Sequence, residues 1–286
     1  MTLQLVFLTP VSGGVTIAQC VEQHLPNEHL LYFADTLHAP YGNKSPDFIQ
    51  QRVNAIADYF LAQQTKAIVI ACNTATVNAI ETLRQRISIP IIGVEPAIKP
   101  AVQASSSKKV GLLVTLSTAK NPHFLALVDQ CKQESEVYIQ PCPGLVELVE
   151  QGEENSRQTY DLLQQYLHPL LKQNIDHLVL GCTHYPMLKQ QICAIVGNQV
   201  TLLDTALPVT KQLIKQLTQH DLLNADTAQT VSVSQWMSNQ IRYCPKKCVC
   251  LLIKQLSLLL FKQVAFLKTT HRVLISAAIH INGYFA

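Results

Sequence analysis

Ala67-Ile68-Val69-Ile70-Ala71-Cys72-Asn73-Thr74-Ala75-Thr76 decides the fold, and Leu178-Val179-Leu180-Gly181-Cys182-Thr183-His184-Tyr185-Pro186 repeats its plan. In each stretch an apolar run reads as a buried strand, and the segment after the cysteine has helical periodicity. Each cysteine therefore falls where a strand ends and a helix begins. In an open parallel sheet ligands bind beyond the carboxyl ends of the strands, and the first free amides of the next helix receive anions. The same helix end favours a thiolate, which predicts thiols more acidic than the ordinary value of ~8.5. Two such cysteines predict one paired site.

Outward from these stretches, the same alternation continues. Leu3–Leu8, Leu30–Phe33 and Ile91–Val94 read as strands, with helices over about Val15–His24, Asp47–Gln64 and Val77–Arg86. Ile49, Val53, Ile56, Ala57, Phe60 and Leu61 line one face of the second of these helices. Glu95-Pro96-Ala97-Ile98-Lys99-Pro100 reads as a stiff crossing to a second region. There Lys108–Val114, Val137–Ile139 and Leu178–Leu180 are strands, and Asn121–Gln133, Leu145–Val149 and Arg157–Lys172 are helical. Thr9 precedes Cys72 by 63 residues and Thr115 precedes Cys182 by 67, so a hydroxyl loop leads to a cysteine loop in both regions. The prediction is an α/β protein of two pseudo-symmetric domains, with mainly parallel sheets covered by helices and the active site between them. Residues 1–97 and 205–229, including a helix at Ala206–Gln219, form the first domain; 98–204 form the second. Residues 230–286 form a basic, leucine-rich tail.

The chain has 286 residues, 48% of them hydrophobic, ample for two such cores. Seven of its 22 basic residues lie beyond Asp226 and none of its 19 acidic ones, leaving 15 basic against 19 acidic residues before that point. Nothing in this balance calls for nucleic acid. The nine cysteines are scattered and no apolar leader opens the chain, which points to a reduced, cytoplasmic setting. Lys254 and Lys262 interrupt Leu251–Leu267, so an amphipathic or packed segment is expected there rather than a membrane span.

The stretches Tyr32-Phe33-Ala34-Asp35, Ala39-Pro40-Tyr41-Gly42, Ala71–Thr76, Gly93–Pro100, Pro141-Cys142-Pro143-Gly144-Leu145-Val146-Glu147 and Leu180–Pro186 are, taken together, highly specific. Over residues 3–225 the chain resembles the glutamate racemases of the aspartate/glutamate racemase superfamily, which make D-glutamate for bacterial peptidoglycan. The resemblance implies a cofactor-free, metal-free enzyme acting on glutamate through two bases, with room for a homodimer. One cysteine thiolate would remove the α-proton while the other, as thiol, protonates the opposite face; Cys72 would serve D-glutamate and Cys182 L-glutamate. It further implies that Tyr41, Gly42, Asn73, Thr74 and Thr183 bind substrate, with Thr118 and Thr115 helping. His184 and Glu147 would hold the proton balance of Cys182.

The first loop departs from the family pattern of Asp-Ser-Gly-Val-Gly-Gly. Aligned on Gly13-Gly14, Thr9 stands at the aspartate and Pro10 at the serine. Thr9 carries no charge, and Pro10 has neither a hydroxyl nor an amide donor. A slower enzyme is expected, and a catalytically impaired binding or regulatory homologue stays open, as does a racemase of aspartate or another acidic amino acid. Cys20, Cys131 and Cys193 read as ordinary packed residues and Cys142 as structural. Cys244, Cys248 and Cys250 lack the spacing of a zinc site. His24, His29 and His220 read as surface or cap residues, and His38 is left open.

Overall fold

The computed structural model describes residues 4–10, 12–62, 65–224 and 234–237. Its first half runs β1 (Gln4–Thr9), α1 (Val15–His24), β2 (His29–Ala34), α2 (Pro46–Leu61), β3 (Thr65–Ile70), α3 (Asn73–Arg86) and β4 (Ile91–Gly93). The second runs α4 (Ile98–Ala104), β5 (Lys109–Val114), α5 (Leu116–Ala119), α6 (Pro122–Lys132), β6 (Glu136–Pro141), α7 (Leu145–Glu150), α8 (Arg157–Leu171), β7 (His177–Leu180), α9 (Lys189–Val196) and β8 (Thr201–Leu203). The chain then forms α10 (Ala206–Gln219), which packs on α1 and β4, and β9 (Ser234–Met237).

Every strand pairing is parallel. The first sheet has the order β4-β3-β1-β2-β9 and the second β6-β5-β7-β8. Read from the other edge, the second is β8-β7-β5-β6, the same order strand for strand as the first four. The expected duplication is therefore present in the topology. In both halves the winding reverses between the first strand and the third, at β1/β3 and at β5/β7, and the Thr9, Cys72, Thr115 and Cys182 loops all leave these strand ends. Equivalent backbone bonds close the two crevices: Ala71 donates to Leu8 O at 2.7 Å and Gly181 to Leu113 O at 2.8 Å.

The buried strands need apolar residues on both faces because helices cover both sides. Val6, Leu8, Ile68 and Ile70 of the first sheet pack against Ile49, Val53 and Phe60 of α2 and Leu83 of α3. Each such side chain contributes about 1.5–3 kcal/mol on burial. Leu163, Leu167 and Leu170 of α8 cover one face of the second sheet, and Ala101, Val102, Phe124 and Val128 of α4 and α6 cover the other. A buried Lys66–Glu28 pair at 2.5 Å, with Lys66 also donating to Leu222 O at 2.7 Å, fastens the exit of α10 to the first sheet.

The structure changes the sequence reading in several places. The crossing at Glu95–Pro100 is in part α4, which starts at Ile98; Pro100 lies in its first turn, where a missing amide is tolerated. Helix α3 starts at Asn73 rather than Val77, because Cys72 itself caps it. A strand, β9, pairs with β2 inside the region assigned to the tail. The cysteines at 244, 248 and 250 and the leucine-rich run lie outside the described residues. Among the described residues no helix is long and apolar enough to cross a membrane.

Candidate active site

Both cysteines line one pocket, of about 550 Å³ counting the part open to solvent. Cys72 arrives from β3, whose six residues are all buried, and takes extended backbone angles as the N-cap of α3. Its Sγ accepts the Ala75 amide at 3.4 Å. The acidity expected from this helix end is not realised. Burial dominates the Ala75 and Thr74 hydrogen bonds, and the thiol is pushed up to about 12.

Cys182 differs. No α-helix begins beside it: Tyr185–Leu188 form a single 3-10 turn before α9, with Pro186 in that turn. The anion-receptive helix end expected here is replaced by a side chain. His184 Nδ1 lies 3.6 Å from Cys182 Sγ, and His184 Nε2 lies 2.7 Å from Glu150 Oε1. The imidazole is buried, which alone would lower its pKa, but the contacts to Cys182 and Glu150 outweigh burial and raise it to about 10. The carboxylate partner of His184 is thus Glu150, not Glu147. Glu147 lies one turn earlier on α7, at the pocket rim, where it accepts from Asn43 Nδ2 of the opposite half at 3.2 Å.

The other residues singled out by the sequence divide into those in the pocket wall and those behind it. Pro10, Tyr41, Gly42, Asn73, Thr74, Thr115 and Thr183 line the pocket. Asn73 donates through Nδ2 to Val94 O at 3.0 Å, while its buried Oδ1 finds no partner among the described residues. Thr74 Oγ1 lies 3.1 Å from Thr115 Oγ1 and 3.4 Å from Thr118 Oγ1, so three hydroxyls join the two halves. Thr118 itself is fully buried behind Thr115, whose hydroxyl caps α5. Thr9 does not reach the pocket either. It is buried beneath Gly14 and hydrogen-bonded to the Tyr32 side chain. Cys142 lines the wall, and burial drives its thiol well above the usual range.

Two carboxylates in this architecture are given no role by the sequence, although one of them stands in the Tyr32–Asp35 stretch. Glu150 is one; its only sequence signal is its position one helical turn after Glu147. Asp35 is the other. Its buried carboxylate receives Tyr41 Oη at 2.7 Å, both Arg52 Nε at 2.8 Å and Arg52 Nη2 at 2.9 Å, and lies 3.0 Å from His38 Nδ1. Burial opposes its ionisation, but the Arg52, His38 and Tyr41 bonds hold it below the usual carboxylate range. This clamp fixes the loop that brings Tyr41 and Gly42 to the pocket, and it gives His38 a partner.

Comparison with known proteins agrees with this geometry. Residues 14–213 match the family described as Asp/Glu/Hydantoin racemase. The chain is 46% identical over 231 residues to a glutamate racemase of Ectopseudomonas mendocina, covering 80% of this chain and 87% of that protein. Among solved structures it is similar to glutamate racemase isoform RacE1 of Bacillus anthracis, with a TM-score of 0.80 and 28% identity over 89% of this chain and 94% of the other. It is also similar to the glutamate racemase of Francisella tularensis in complex with D-glutamate, with a TM-score of 0.77 and 29% identity over 90% and 94% of the two chains. With two thirds of its length matched and two cysteine loops at equivalent crevices, the chain belongs to the Asp/Glu/Hydantoin racemase family.

Proposed function

We propose that the protein interconverts L- and D-glutamate by a two-base mechanism in which Cys72 and Cys182 act on opposite faces of the α-carbon. The observation that carries this reading is that the two thiols enter one pocket from equivalent loops of two topologically duplicated halves. Inversion needs a base on one face and an acid on the other, with the roles exchanged for the other hand, and two like groups meet that need.

From L-glutamate, the Cys182 thiolate takes the α-proton, the Cα–H electron pair stays on carbon, and the Cys72 Sγ–H proton is delivered to the other face. From D-glutamate the same steps run in reverse. In the L direction Cys72 ends as thiolate and Cys182 as thiol, and proton exchange with His184 and solvent resets them. The α-proton is far less acidic than a thiol, so the pocket must stabilise the developing carbanion with oriented donors and little water. The unpartnered Asn73 Oδ1 suits the substrate ammonium, an N–H donor. The Thr74, Thr115 and Thr183 hydroxyls suit carboxylate oxygens. Glutamate is favoured over aspartate by the 46% relatives, which are glutamate racemases.

On the same reading, residues 1–97 with 205–229 and residues 98–204 act as two domains. The return of α10 onto α1 and the packing of α4 on β5, β7 and α6 support that division. The product would be D-glutamate for peptidoglycan synthesis in the cytoplasm.

The test is proton NMR of L-glutamate, and separately of D-glutamate, with the purified protein in deuterium oxide, alongside chiral analysis. Loss of the α-proton signal with inversion is expected from both hands. A folded protein that gives neither would sink the racemase reading and favour a binding homologue.

A further inference from the structure

Gly13 lies in the 3-10 turn Ser12–Gly14 that follows β1, and its φ is not positive, so its backbone does not call for glycine. Space does. A Cβ built at Gly13 would stand 2.7 Å from His184 Cε1, 2.7 Å from His184 Nδ1 and 2.7 Å from Thr183 Oγ1. These atoms belong to the opposite half. The next residue, Gly14, is pressed the other way: a Cβ there would stand 2.9 Å from Ala71 Cβ and 3.0 Å from Thr9 Cβ. One turn therefore abuts the neighbours of both cysteines. The His184 ring stands between Cys182 and Glu150 and fills the space a side chain at Gly13 would need.

We propose that Gly13 is a positioning residue for Cys182: contact with its Cα fixes the His184 ring with Nδ1 toward Sγ and Nε2 toward Glu150. The histidine's partnership with Cys182 then depends on the first half being seated against the second. The catalytic consequence rests on the racemase reading above, but the ring contact is testable without turnover. The titratable groups around the ring are Cys182 and Glu150, with Cys142 and Tyr185 acting on Cys182 and Tyr32 of β2 acting on Glu150. Displacing the ring removes its hold on Cys182 and Glu150, the contacts that raise its pKa, and leaves burial, which lowers it.

The experiment compares the full chain with Gly13→Ala, His184→Ala and the double variant. Racemisation by G13A is expected to fall about a hundredfold, toward the loss seen in H184A. The double variant should be no worse than H184A alone when the ring is what the Cβ displaces; displacement of Thr183 Oγ1, at the same 2.7 Å, would add a second loss. Nitrogen-15 NMR of labelled histidine should show His184 as imidazolium through neutral pH in the wild-type chain and titrating at or below ~6.5 in G13A. Wild-type turnover and titration in G13A would overturn the proposal, as would losses that multiply in the double variant. If G13A does not fold, G13A/H184A decides the matter. A folded double variant identifies the ring as what the new Cβ strikes, and an unfolded one assigns the clash to Thr183 Oγ1 and refutes the proposal. If the wild-type chain shows no racemisation, the functional reading fails while the titration still tests the contact.

Discussion

Cys72 and Cys182 end equivalent strands of equivalently ordered sheets, yet the two loops hold their thiols by different means. Cys72 relies on backbone: its Sγ caps α3 through the Ala75 amide, Thr74 assists, and burial keeps it protonated to about 12. Cys182 relies on side chains, a buried imidazole at 3.6 Å backed by a carboxylate 2.7 Å from its far nitrogen. Duplicated topology thus sets where the thiols stand, and the few residues after each strand set how each handles a proton. The asymmetry has a boundary fixed by thermodynamics. L- and D-glutamate are mirror images of equal free energy, so kcat/KM must be equal in the two directions for this protein and for every variant of it. The inequality of the thiols can appear in kcat and KM separately, in isotope effects and in one-sided exchange.

The largest expected effect comes from removing either thiol. Cys72→Ala and Cys182→Ala should each lower inversion by about 10⁴-fold, the upper range for a single acid or base, because the opposite face then has no proton donor. The remaining thiol still works on its own face. In deuterium oxide Cys72→Ala should wash deuterium into L-glutamate alone, with retention, and Cys182→Ala into D-glutamate alone. Exchange of the other hand by either variant would reverse the assignment of faces. Persistence of inversion in either would end the two-thiol account.

A smaller change sharpens the comparison. His184→Asn keeps both thiols but takes the proton store from one, and racemisation should drop about a hundredfold. The steps at Cys182 then limit the rate. Starting from α-deuterated L-glutamate, Cys182 removes the deuteron, so the isotope effect should grow. From α-deuterated D-glutamate, Cys72 removes it before the slow step, so the effect should shrink toward unity. Isotope effects that stay alike in both directions would show that His184 does not distinguish the thiols. Stability carries the same signature. The folded pKa of His184 is raised to about 10, above an unfolded value of ~6.5, so its contribution is complete below that lower value and is lost as pH rises through about 10. Denaturant melts of wild type and H184N should converge as pH increases from 6 toward 10.

Much of this arrangement is legible in the sequence, for reasons that also explain what is not. The strands are readable because doubly covered parallel strands must be apolar throughout, and α1 and α10 keep the bounds their periodicity predicts. The start of α3 is hidden because Asn73 and Thr74 line the pocket and Thr76 bonds to Ile70 O and the Val94 amide, so polar residues break the apolar pattern. Helix α4 is hidden by Pro96 just before it and Pro100 in its first turn. In the site, Cys72, Asn73, Thr74, Thr183 and His184 are readable because they stand in the two repeated loops. Asp35 and Glu150 lie behind the wall and act through Tyr41 and His184, and a residue that acts through another leaves no periodic mark. The acidity of Cys72 is misjudged for a physical reason. A helix end supplies partial charge, but desolvation of a thiolate with no cation beside it among the described residues is the larger effect.

Glu147 and Glu150 give the smallest and most discriminating comparison, since they sit three residues apart on the same short helix. Glu150 Oε1 accepts from a buried imidazole, a charge-assisted bond of about 1.5–3 kcal/mol, so Glu150→Gln should slow turnover by about ten- to a hundredfold. Loss of its charge should also lower the His184 pKa, which labelled-histidine NMR reads directly. Glu147 makes an exposed bond to Asn43 across the pocket mouth, of a kind contributing about 0.5–1.5 kcal/mol, so Glu147→Gln should change KM a few-fold and leave kcat and the histidine titration near wild type. The reverse ranking would move the proton store of Cys182 from Glu150 to the rim. It would also blur the distinction between the two cysteine loops, because Cys182 and the carboxylate behind His184 together keep that imidazole charged beside one thiol and not the other.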